Sequence, residues 1–184
     1  MWASTRSKRI ERAALTTLLL ALAPFASGAA PPLPHAVQEA APGLAVKGGG
    51  VFTWFGIAVY DGWYWTAARG WPSEDAYVLD LVYHRDLDGA RIAQRSLDEI
   101  ARLGYGTPEQ RARWGALMSR IFPDVRKGDR LTGVHAAAGR VRYFLNGRLI
   151  GTIEDPGFAH AFFGIWLDPK SSRADFRDKL LGTP

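Results

Sequence analysis

The sequence predicts an α+β fold with a mostly antiparallel sheet. Three observations carry that class. Residues 51–60, VFTWFGIAVY, alternate in the two-residue period of a strand. Residues 92–121 carry apolar side chains at three- and four-residue spacing, the helical period. Asn146-Gly147 sits between Tyr143-Phe144-Leu145 and Leu149-Ile150, a strong signal for a two-residue hairpin turn. Strands therefore flank a central helical block, and such segregation belongs to the α+β class.

The elements follow in chain order. Residues 51–60 are apolar on both faces, which predicts a strand buried on both sides. Asp61-Gly62 reads as its turn and Trp63-Tyr64-Trp65 as the returning strand. Residues 76–83, AYVLDLVY, predict a further strand. Ile92, Ser96, Leu97, Ile100 and Leu103 mark one helix. A second helix opens with Thr107 as cap, Pro108 at the first helical position and Gln110 closing a capping box. Its apolar side carries Trp114, Leu117, Met118 and Ile121. Residues 129–156 read as β-structure around the Asn146-Gly147 hairpin. Residues 157–168 read as an apolar, buried helix. Residues 171–182 read as a closing helix with a serine cap and Gly182 at its end.

The N-terminus bears on charge and compartment. Residues 1–29 place Arg6, Lys8, Arg9 and Arg12 before an apolar run from Ala13 to Ala26 and small residues at 26–29. That is the pattern of a secretory signal peptide, and the run is short for a membrane span. Export to the periplasm and a domain without stable membrane insertion are the expectations. Residues 30–43 are rich in Pro and Ala and read as an extended leader, which leaves 44–184 as the folded domain. The whole chain has a net charge of +5. Without residues 1–29 the 23 basic and 18 acidic residues fall to 19 and 17, so nucleic acid loses its electrostatic attraction. There is no cysteine, hence neither a disulfide nor a thiol nucleophile.

Several chemistries lack their motifs. The run Gly48-Gly49-Gly50 is followed by Val51 and Phe52 where a phosphate loop needs Lys and Ser or Thr. A bend or bulge where two backbones approach closely accounts for the glycines instead. His35, His84, His135 and His160 show no metal-ligand spacing, so neither metal nor cofactor is expected. Asp155-Pro156 and Asp168-Pro169 read as turn or helix boundaries, and no nucleophile-elbow motif occurs. The excess lies in aromatics: seven Trp, six Tyr and nine Phe. Trp54, Phe55, Tyr60, Trp63, Tyr64 and Trp65 crowd one hairpin, either as core or as the wall of an apolar pocket. Arg85, Arg91 and Arg95 follow, with Asp86 and Asp88 as surface partners, or with one arginine turned inward to hold a carboxylate or phenolate.

The order and spacing of GGGVFTWFGIAVYDGWYW, LVYHRDLDGARIAQRSLDEIARLG, FPDVRKGDRLTGV and FLNGRLIGTIEDPGFAHAFFGIWLDPKSS resemble the bacterial chalcone isomerase-like proteins across residues 44–182. The resemblance implies an open-faced β-sandwich of chalcone isomerase type, a large, mostly antiparallel sheet backed by helices with a ligand cleft between them. In the enzymes of that fold an arginine after the early glycines stabilises the developing enolate, and related fatty-acid-binding proteins use it for the lipid carboxylate. That position here is Phe52. The catalytic threonine position falls near Phe55, the tyrosine near Ile92, the lysine near Arg95 and the asparagine near Glu99. A phenyl ring carries no charge, so cyclisation loses its largest electrostatic contribution. The resemblance therefore implies a non-catalytic protein binding a small apolar or fatty-acid-like ligand, with no assignable catalytic residues. Arg85 or Arg95 is the carboxylate anchor, and Tyr60 and Tyr83 are hydrogen-bonding candidates. An intramolecular lyase or isomerase acting on an enone, and a protein-partner role with the cleft plugged by Phe52 and Phe55, stand as alternatives.

Overall fold

A computed structural model describes residues 30–68, 70–136 and 139–183. The expected signal peptide, residues 1–29, lies outside them. Six strands form one antiparallel sheet in sequence order: β1 (Ala45–Trp54), β2 (Ile57–Thr66), β3 (Tyr77–Tyr83), β4 (Arg130–Ala136), β5 (Arg140–Leu145) and β6 (Arg148–Glu154). The described helices are α1 (His35–Ala40), α2 (Gly89–Arg102), α3 (Pro108–Ile121), α4 (Pro156–Leu167) and α5 (Ala174–Leu181). The α+β class and the helix-backed antiparallel sheet are as predicted.

β3 and β4 are hairpin partners held apart in sequence by α2 and α3. Val82 pairs with Arg130, and the Tyr83 N–H donates to the Asp129 carbonyl at 2.9 Å. Leu87 and Val125 exchange both backbone hydrogen bonds at 2.9 Å and pinch the base of the excursion. Asp86 Oδ1 accepts from the Lys127 N–H, and Asp124 Oδ1 from the Gly89 N–H. Asp88 caps α2 by accepting from the Arg91 N–H at 3.1 Å. These acids thus serve backbone donors, and the expected pairing of Arg85, Arg91 and Arg95 with Asp86 and Asp88 does not form. The capping box at Thr107 and Gln110 is present. Asp155 caps α4 through the Phe158 N–H and also accepts from Trp114 Nε1 at 3.0 Å, which ties α3 to the start of α4.

The helix-facing side of the sheet buries Tyr64, Leu79, Val141, Tyr143 and Ile153 against Phe158, Phe162 and Phe163 of α4 and Phe176 and Leu180 of α5. Each such side chain contributes about 1.5–3 kcal/mol of burial. The opposite face holds a smaller cluster, where Leu33, Val37 and Ala41 pack on Val78, Val134 and Phe144. Residues 30–43, expected to be extended, thus include helix α1 and core contacts. Their apolar positions are too few for a periodicity, and their partners lie far along the chain.

Three local expectations change. The first turn is Phe55-Gly56, with φ of 46° and 77°, and not Asp61-Gly62, which lies within β2. Gly62 is there because Phe176 of α5 presses on the strand: a Cβ would meet the ring edge at 2.8 Å. β1 is an edge strand with no buried residue, so its two apolar faces do not mark burial on both sides. α5 starts after Arg173 without a side-chain cap, since Ser171 lies ahead of the cap position, its hydroxyl donating to the Ile165 carbonyl and accepting from the Arg173 N–H. Its end is as expected, with Gly182 left-handed at φ 64°. The glycine run does allow close approach: a Cβ on Gly48 would collide with backbone atoms of Lys179, Leu180 and Gly182.

Candidate functional site

A cavity of about 460 Å³ opens between the sheet, helices α2 and α4, and the Ser172-Arg173 segment just before α5. Its volume lies within the range of small-molecule sites, about 300–1,000 Å³. Phe52, Tyr60, Leu81, Tyr83 and Leu131 line it from the sheet, and Ile92, Ser96, Phe162, Ile165 and Trp166 from the helices. Trp54, Val59, Arg85, Leu87, Arg91, Arg95, Glu99, Phe122, Ser172 and Arg173 complete the lining. A register shift after Phe52 leaves Val59 as an extra residue in β2. Neighbours Val59 and Tyr60 both reach the cavity as a result. On α2, Ile92, Arg95 and Glu99 share one face through their three- and four-residue spacing.

An aromatic stack forms the inner wall. Phe52 lies 4.7 Å from Tyr60 at 8°, and Phe176 meets both rings edge-on. Above the outer face of this stack the Arg173 guanidinium lies 4.7 Å from the Phe52 centroid. Arg173 also donates to the Thr53 carbonyl and pairs with both oxygens of Asp175 at 3.1 and 3.0 Å. A cation therefore stands on the Phe52 ring, carried there by the residue that immediately precedes α5.

Polar groups inside are few. Trp166 Nε1 donates to Tyr60 Oη at 2.9 Å, and the Tyr60 and Tyr83 rings meet edge-on at 5.7 Å. Burial holds both phenols well above their ordinary value of 10.0, although Trp166 and Arg173 pull Tyr60 the other way. Both stay neutral and can donate a hydrogen bond, and neither serves as a base at neutral pH. Ser96 Oγ donates to the Ile92 carbonyl at 2.9 Å. At the rim, Arg95 lies 5.4 Å over the Trp54 ring and 3.7 Å from Asp98, while Glu99 is held by Arg102 at 2.8 Å. Arg85 and Arg91 form no ion pair among the described residues.

The structure thus brings together Phe52, Tyr60, Tyr83, Arg85, Ile92, Arg95 and Glu99 from the sequence reading. Phe55 is the correction. It is 89% exposed on the two-residue turn and does not line the cavity, because the chain reverses one residue after Trp54. Trp54 lines the wall in its place. Arg173 was not visible in the sequence as a site residue, since only the fold carries it to Phe52. Phe162, Ile165 and Trp166 had a signal: i, i+3, i+4 spacing on an apolar helix. No group of three or more metal-ligating side chains occurs among the described residues.

Comparison with known proteins places this geometry. The model of the chalcone isomerase-like family matches residues 30–182. The chain belongs to the chalcone isomerase-like family. An uncharacterized protein of Haemophilus influenzae is 28% identical over 136 residues, which is 73% of this chain and 66% of that relative. The chain therefore spans just under two thirds of that relative's length. The crystal structure of an Arabidopsis thaliana fatty-acid binding protein superimposes with a TM-score of 0.56 at 12% identity, covering 77% of this chain and 89% of that one. At that identity the likeness concerns the fold, which is the chalcone isomerase-like one expected.

Proposed function

We propose that this family member is an exported, non-catalytic binder of a fatty-acid-like carboxylate. The observation that carries the reading is the lining of the cavity: aromatic and aliphatic walls, neutral phenols, and four arginines against one glutamate. The apolar tail lies against Tyr60, Tyr83, Leu131 and Phe162. The carboxylate sits at the rim, which Arg85 and Arg95 line and where Arg91 adds charge. The fatty-acid binding named for the Arabidopsis structure supports the same ligand class. Displacement of a fluorescent fatty acid from the purified chain tests it. Saturable binding is expected, with the double charge reversal R85E/R95E weakening it at least about tenfold, or about 1.4 kcal/mol. Absence of saturable binding to any long-chain carboxylate overturns the reading.

Arg173 favours a second reading, an enone isomerase or lyase, because it returns a cation to the Phe52 wall. Its guanidinium is already engaged by Asp175 and by the Thr53 carbonyl, which leaves less of it for an oxyanion. Incubation with chalcones and simpler enones decides: a rate no higher than buffer removes this reading.

A further inference from the structure

Among the described residues, the exposed large apolar side chains are Val46, Val51, Trp54, Phe55, Ile57 and Leu149, and all but Leu149 belong to the β1–β2 hairpin. At its tip Trp54 is 45% exposed, Phe55 89% and Ile57 51%. Trp54 and Ile57 form the last cross-strand pair, and the Phe55 ring meets Trp54 edge-on at 5.1 Å. Phe55 holds φ of 46°, a left-handed backbone that a two-residue turn ordinarily gives to Asn, Asp or Gly. A bulky apolar residue at that position is a backbone outlier, and outliers of this kind gather at functional sites.

The tip is continuous with the cavity. Trp54 is both tip and lining residue, and Arg95 covers its ring. Arg85 and Arg91 are exposed beside the same mouth. An apolar wedge of Trp, Phe and Ile collared by arginines matches the interface of an anionic bilayer, where aromatic rings sit at headgroup level and each cation near the surface gains attraction. A second copy added edge-to-edge at this tip would bring the arginine collars together, so charge disfavours that occupant.

We infer that the Phe55 hairpin tip docks the protein onto anionic lipid membranes, with the cavity mouth facing the lipid. The inference concerns the tip and not the occupant of the cavity. The chain has no cysteine, so F55C in the full chain accepts a single environment-sensitive NBD label. The control is L149C, on the opposite edge strand β6. Vesicles of equal parts phosphatidylcholine and phosphatidylglycerol are added to each. At position 55 a several-fold rise in emission, a blue shift and quenching by nitroxide-labelled lipid are expected. The response weakens with salt and with R91E, and is small at position 149. No change at position 55 overturns the inference. So does an equal change at 149, or a change that follows protein concentration without vesicles, which assigns the tip to a second copy. F55S leaves the solution affinity for a fatty acid unchanged, because Phe55 lies outside the cavity. Failure of docking and failure of ligand binding are therefore separate results.

Discussion

Asn146-Gly147 and Phe55-Gly56 close the two outer hairpins of one sheet with almost the same backbone, φ of 50° and 79° against 46° and 77°. What surrounds them differs. Asn146 Oδ1 accepts from the Arg130 N–H at 2.8 Å and its Nδ2 donates to Asp129 at 2.9 Å. The side chain of that same Arg130 forks onto buried Asp80 at 2.6–3.0 Å and donates to the Pro32 carbonyl at 2.9 Å. This turn is wired into the sheet and into the N-terminal segment. Phe55 touches Trp54 and otherwise faces solvent. The same local geometry serves anchorage at one edge and exposure at the other, and the residue in the left-handed position marks which.

The sharpest way to break the anchored side is D80A. Asp80 is fully buried and also accepts from Thr132 Oγ1 at 2.7 Å. Its removal leaves the largely buried Arg130 charge without a carboxylate, with only backbone carbonyls as acceptors. A loss of about 3–5 kcal/mol is expected in chemical denaturation. N146A comes next. It puts a Cβ-bearing residue without side-chain hydrogen bonds into the left-handed position, and about 1–2 kcal/mol should disappear. F55N should do the reverse, raising stability by about 0.5–1 kcal/mol while weakening vesicle binding. If N146A and F55N change the midpoint by the same sign, the contrast between the two turns is wrong.

The smallest effect is a pH dependence. The Asn146 amide and the Arg126 N–H hold the Asp129 carboxylate below its ordinary value of 3.8, against a smaller opposing effect of burial. A carboxyl whose folded value is depressed stabilises the fold above the unfolded value and loses that contribution as pH falls through the folded one. The difference between wild type and D129N should therefore be constant near neutrality and close only below pH 3.8. A difference that closes near pH 6 would point to a histidine instead.

Legibility followed the range of the interaction. The Thr107–Gln110 capping box and the Asn146-Gly147 turn are local chemistry, and both were readable. The α2 positions Ile92, Arg95 and Glu99 were reached through the family resemblance, and helical period explains why one face presents all three. Phe55-Gly56 was not, since Phe is a strand former and a two-residue loop interrupts the alternation only briefly. Asp61-Gly62 misled for the opposite reason: its glycine answers to Phe176, far along the chain. Arg173 reaches the Thr53 carbonyl across 120 residues, and α1 finds its apolar partners on β3, β4 and β5. Burial of α1 and identity of the site cation both depended on the finished fold.

The pinch between Leu87 and Val125 has a consequence for the order of folding. The other neighbouring strands are joined by connections of two to ten residues, so those hairpins can zip locally. Bringing β3 to β4 requires closing the chain over residues 84–129, and loop closure rises only slowly with length while the contacts that reward it arrive late. α2 and α3 can form inside that loop first and shorten its effective span. The cavity then acquires its α2 wall only when the loop shuts. Folding and the birth of the binding site become one kinetic event, which a ligand present during refolding can report.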